Sequence, residues 1–155
     1  MTKPRLQRSL EAGALRRHRT SQREVADLLG VAERDLRDAQ VTALSLDRRF
    51  ATAYAAAHQL ATIVLAASGF RAVAQRGHHV VTWQALAELM GSGAAETAVY
   101  VDSCRALRNQ SGYDRADVVP AAEVDEVLRE AEALRHKVLD WLAREHPTLV
   151  SRLAF

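Results

Sequence analysis

SLDRRFATAYAAAHQLATIVLAASG, residues 45–69, decides the fold. Phe50, Ala53, Tyr54, Ala57, Leu60, Ala61, Val64 and Leu65 recur at three- and four-residue spacing, the period of a helix with one inward face. Ser45 stands where an N-cap belongs, Asp47 puts a carboxylate in the first turn, and Gly69 offers a C-terminal stop. Alanines on the inner face let other helices approach closely, so this helix belongs at the centre of a bundle. His58, Gln59 and Thr62 interrupt it, and alanine is too weakly hydrophobic for a bilayer span, so it reads as buried in protein.

The flanking sequence carries the same period. Ser21 and Glu24 form a capping box ahead of Val25, Leu28, Leu29, Ala32, Leu36 and Ala39, predicting a helix from about Gln22 to Leu44. Residues 71–80 have no clear period and read as a loop, before a short helix from Trp83 to Met90 capped by Thr82 and ended by Gly91. A fourth helix spans about Ala95 to Asn109, with polar residues unusually near its inner face. Pro120 fits the first turn of a long last helix bearing Val124, Val127, Leu128, Ala131, Leu134, Val138, Trp141 and Leu142. The expected fold is all-α, an up-and-down bundle of about five helices.

With 155 residues, one domain is expected, divided into a basic N-terminal arm (1–20), a helical domain (21–146) and a tail (147–155). Hydrophobic residues at 48% and charged residues at 26% exclude a disordered or membrane-embedded chain. A single cysteine, Cys104, excludes an internal disulfide and reads as a small core hydrophobe. No apolar stretch follows the first basic residues, so no secretory signal is expected and the cytoplasm is the expected location. Lys3, Arg5, Arg8, Arg16, Arg17, Arg19 and Arg23 face only Glu11 in the first 23 residues. Such an arm can contact phosphate, or can be a solvated, frayed end.

The sequence has no Gly-rich phosphate loop, no CxxC pair, no HExxH and no nucleophile elbow. What remains is Arg108, Asn109, Tyr113 and Asp114 at a helix end, with His78 and His79 elsewhere. A guanidinium can hold a phosphate through paired donors, and Tyr or His can move a proton at a ribose or phosphate oxygen. The structural alternative pairs Arg108 with a carboxylate of the acidic last helix and makes Asn109 a cap. His58 reads as a hydrogen-bonded core residue. No metal site is expected, because adjacent histidines seldom converge on one ion and no third ligand stands at helical spacing. No cofactor is expected.

The order of DRRFATAYAAAHQLATIVLAASGFR (47–71), GHH (77–79) and LRNQSGYD (107–114) resembles the HEPN family of RNA-cleaving and nucleotide-binding proteins, specifically small bacterial members found beside nucleotidyltransferases. The resemblance runs from about Gln22 to Leu142. It implies a homodimer whose two motifs share one cleft, metal-independent RNA cleavage in active members, and a toxin–antitoxin or defence setting with a nucleotidyltransferase partner. Arg108 and Asn109 match the start of the family motif and would hold the scissile phosphate. Tyr113 stands where the family has His; with an ordinary pKa of about 10 it rarely serves as a base near neutral pH. Together with His78, His79 and Asp114 as substrate contacts, the implied function is RNA or nucleotide binding with weak or lost cleavage. The competing reading takes SQREVADLLGVAERDLRDAQ (21–40) as a DNA-binding helix-turn-helix turning at Gly30. Asp35 and Asp38 on the supposed recognition helix, and the lack of a third helix, count against it.

Overall fold

The structure is a computed structural model that describes residues 3–73, 77–110 and 115–151; of Ser92 it describes the backbone alone. It is all-α apart from one small ribbon. The described elements run α1 (Pro4–Glu11), β1 (Leu15–Arg17), α2 (Gln22–Asp38), α3 (Leu46–Ala67), β2 (Phe70–Ala72), α4 (His78–Met90), α5 (Ser92–Asn109), α6 (Ala121–Glu145) and α7 (Pro147–Val150).

Helix α3 is the axis of the bundle, packing against α2, α4, α5 and α6. Ser45 caps it as expected, its hydroxyl accepting from the Arg48 amide at 3.1 Å. Phe50, Ala53, Ala56, Ala57, Leu60, Ala61, Ile63 and Val64 have no exposed surface. Each large apolar side chain so enclosed contributes about 1.5–3 kcal/mol. By length and composition α3 could cross a bilayer, but most of that stretch is enclosed by protein, which the alanine-rich reading anticipated. Asp47 in its first turn also accepts from the backbone amides of Asp117 (2.6 Å) and Val119 (3.0 Å), holding the approach to α6 against the start of α3. Helix α6 spans 25 residues, about 38 Å. Its stripe of Val124, Val127, Ala131, Leu134, Val138, Trp141 and Leu142 is buried as expected.

Several boundaries differ from the expectations. Helix α2 ends at Asp38 rather than Leu44. The chain tightens there through three-residue turns, Gln40 to Arg37 and Val41 to Asp38, and the Arg49 Nε donates to the Ala39 carbonyl at 2.8 Å. This turn buries Ala39 and leaves Val41 and Leu44 outside the core. Half the capping box forms. The Ser21 hydroxyl accepts from the Glu24 amide at 3.1 Å, but the Glu24 carboxylate bonds His18 (2.8 Å) and Thr20 (3.1 Å) instead of reaching back. Gly30 sits in mid-helix without a break, so the turn that the helix-turn-helix reading required is absent.

The basic arm is not a separate segment. Leu6 of α1 and Leu15 of β1 are buried with Leu65 and Ala85, and β1 pairs antiparallel with β2 in the register Leu15 to Ala72, Arg16 to Arg71 and Arg17 to Phe70. Glu88 of α4 caps α1, its carboxylate accepting from the Arg5 amide (2.7 Å) and the Leu6 amide (3.3 Å). The boundary expected at residue 20 therefore runs through folded structure, while Arg5, Arg8, Arg16, Arg17, Arg19 and Arg23 keep exposed side chains. The tail likewise begins with α7, whose Val150 is buried against the bundle.

Candidate functional site

A cluster of aromatic and imidazole side chains gathers where α3 and α4 face each other, beside α5. Tyr54 and His58 lie one turn apart on α3, and His79 and Trp83 lie one turn apart on α4, so two helix faces present rings to each other. His78 and His79 were expected in a loop, but they open α4. Gly77 takes a left-handed conformation (φ +85°) that a side chain would strain, and this turns the chain into the helix five residues earlier than expected. Thr82 is accordingly not the cap: its hydroxyl donates to the His78 carbonyl at 2.9 Å.

The rings form one stack. His58 lies on His79 with centroids 4.0 Å apart and planes 18° from parallel, and both meet His78 edge-on, at 5.9 Å and 4.3 Å. Tyr54 Oη and His79 Nδ1 are 2.8 Å apart, and Trp83 Nε1 donates to the same oxygen at 3.3 Å. The His58 Nε2 is buried and has no hydrogen-bond partner among the described residues, which corrects the expectation of a satisfied core histidine.

Two cations edge this stack from α5. The Arg108 guanidinium lies 6.0 Å from the centre of the Tyr54 ring, within cation–π range. Its Nη1 donates to Asn109 Oδ1 at 3.1 Å, so these adjacent residues point into one region. Arg105 bonds Asp102 at 3.2 Å. Burial, reinforced by His79, His78 and Arg108, pushes the His58 pKa down to about 3. Burial likewise lowers His79 to about 4, with His78, Arg108 and Arg105 adding to it. Both rings are neutral at pH 7. Burial raises Tyr54, which keeps its proton.

Of the candidate residues, Arg108, Asn109, His78 and His79 converge on or beside this cluster. Tyr113 and Asp114 lie outside the described residues. The sequence placed Tyr54 on an inner helix face, His58 in the core and Trp83 at a helix start, and none of them in the site, although two polar-tipped residues four apart on an otherwise Ala-rich helix were a usable signal. A third imidazole, which helical spacing did not offer, does approach in space. His58, twenty positions before His78 in the chain, places a ring nitrogen within 4.8 Å of those of His78 and His79. Cys104 is buried as expected, and burial raises its thiol pKa. Comparison with protein-family models, curated proteins and solved structures finds no match for this chain.

Proposed function

We propose that this chain binds RNA or a nucleotide by a phosphate group at Arg108, within a HEPN-like homodimer in which two such sites face a shared cleft. The observation that supports it is that Arg108 and His79 both meet Tyr54: the guanidinium is 6.0 Å from its ring and the imidazole nitrogen 2.8 Å from its hydroxyl. A phosphate at Arg108 would meet paired donors, with neutral imidazoles close by to exchange protons with a ribose hydroxyl. These imidazoles stand in for the motif histidine that Tyr113 replaces. A base with a pKa near 4 is weak at neutral pH, so cleavage is slow and binding dominates. A toxin–antitoxin setting with a nucleotidyltransferase partner rests on the sequence resemblance alone.

Fluorescence anisotropy with a short single-stranded RNA tests the reading. Loss of a charged hydrogen-bonding partner costs about 1.5–3 kcal/mol, so Arg108→Ala should weaken binding roughly 10- to 100-fold, and Tyr113→His should speed cleavage. Unchanged affinity in Arg108→Ala would remove the proposed phosphate contact. A strict monomer in sedimentation at micromolar concentration would remove the shared cleft.

A further inference from the structure

We infer that His58, His78 and His79 form a binding site for a divalent first-row transition-metal ion of the zinc class. One ring nitrogen of each lies within 4.8 Å of the other two. Zinc bound to imidazole at about 2.0–2.1 Å in a tetrahedron holds its ligand nitrogens roughly 3.3 Å apart. The nitrogens thus stand within about 1.5 Å of the spacing an ion requires, a gap of the size that side-chain rotation spans. The rotation needed is specific: the His58 and His79 rings, now 18° from parallel, must splay until both planes contain the ion.

Independent observations point the same way. The His58 Nε2 is buried without a hydrogen-bond partner among the described residues, and a coordinate bond would satisfy it. His79 already has an outer hydrogen-bond partner of the kind that orients a metal-bound histidine, here a tyrosine hydroxyl. When Nδ1 carries the proton it donates to Tyr54 Oη, itself fixed by Trp83 Nε1, and Nε2 is left to coordinate. Because His58 and His79 are neutral at pH 7, an ion has no proton to displace from either. Three imidazoles with no thiolate suit zinc, nickel, copper or cobalt better than magnesium or calcium, which favour oxygen.

The surroundings define the fourth ligand. His78 and His79 occupy the first turn of α4, whose dipole is positive, and Arg105 and Arg108 add charge of the same sign. These oppose a bare cation and favour an ion carrying an anionic fourth ligand, hydroxide or a phosphate oxygen. The site does not depend on the RNA reading. If both hold, they interact simply: a nitrogen lone pair given to the metal cannot accept a proton.

The test uses the full chain without an affinity tag, stripped with a chelator and titrated with Co2+. One equivalent should bind with the intense visible absorption of four-coordinate cobalt, and Zn2+ should displace it. His78→Gln and His79→Gln should each weaken binding at least about 100-fold, and Tyr54→Phe, which removes only the outer contact, about 10-fold or more. His136→Gln, outside the cluster, should change nothing. His78 opens a helix and is only partly buried, so His78→Gln is expected to fold, with circular dichroism as the check. Absence of stoichiometric cobalt binding at tens of micromolar, or binding indifferent to His78→Gln and His79→Gln, would overturn the inference. RNA affinity of Arg108→Ala is read separately without metal, so either proposal can fail alone.

Discussion

Acid should destabilise this fold through His58, by an amount the structure allows to be worked out. An unfolded chain protonates the residue near pH 6.5, whereas in the folded protein burial and the neighbouring cations delay this to about pH 3. The folded pKa is lowered, so proton uptake favours the unfolded state. Stability is full above pH 6.5, falls as pH drops through the window from 6.5 to 3, and levels off below it. The limiting slope is about 1.4 kcal/mol per pH unit, and between pH 7 and pH 5 the loss from this one ring comes to about 2 kcal/mol. Against a typical total of roughly 5–15 kcal/mol that is readily measured. Urea unfolding at pH 7, 6 and 5 should be followed for the native chain and for His58→Gln. Titrating groups remote from the cluster contribute to both proteins and largely cancel in the difference, whereas His79, stacked on His58, is coupled to it and is counted within that difference. The native chain should lose about 2 kcal/mol more than the variant over this interval. Equal losses would show that the ring is solvated in solution or hydrogen-bonded, and the account of its burial would fail.

Gly30→Ala should stabilise the protein by roughly 0.5–1 kcal/mol in thermal or urea unfolding, because Gly30 is exposed in mid-helix and an added Cβ meets nothing within 4 Å. A loss of stability would mean that α2 bends or packs there after all. Glu88→Ala should leave the α1 amides uncapped, cost about 1 kcal/mol and speed tryptic cleavage at Arg5 and Arg8. Unchanged proteolysis would indicate that burial of Leu6 alone docks the helix.

The bundle was legible because its signals are local. Ser45 caps α3 with only the residues beside it, and the stripe of α6 repeats whatever surrounds it. The arm was not, because its two anchors, Glu88 and the strand at Phe70–Ala72, lie more than fifty residues away. A three-residue strand has no period to detect. The site divided the same way. Arg108 and Asn109 stood out as polar residues at a helix end. His58 did not, since a lone histidine on an Ala-rich helix acquires chemical meaning only when α4 folds across it. His78 and His79 were assigned to a loop because a helix start was sought from a polar cap, and Gly77 starts one through its backbone conformation instead.

The alanines of α3 have a consequence for how this chain can change. Ala53, Ala56, Ala57 and Ala61 are fully enclosed, so the bundle closes over them with room for no more than a methyl group at each. They are interleaved with Tyr54 and His58, so the same closeness fixes how far those rings stand from α4 and α5. Valine or leucine at any of the four would force the helices apart, at a typical cost of about 1–3 kcal/mol, and would widen the ring stack without touching a polar atom. The smallest side chains in the core therefore act as its spacers, and sequence drift that alters the chemistry of this cluster can begin at residues that have no chemistry of their own.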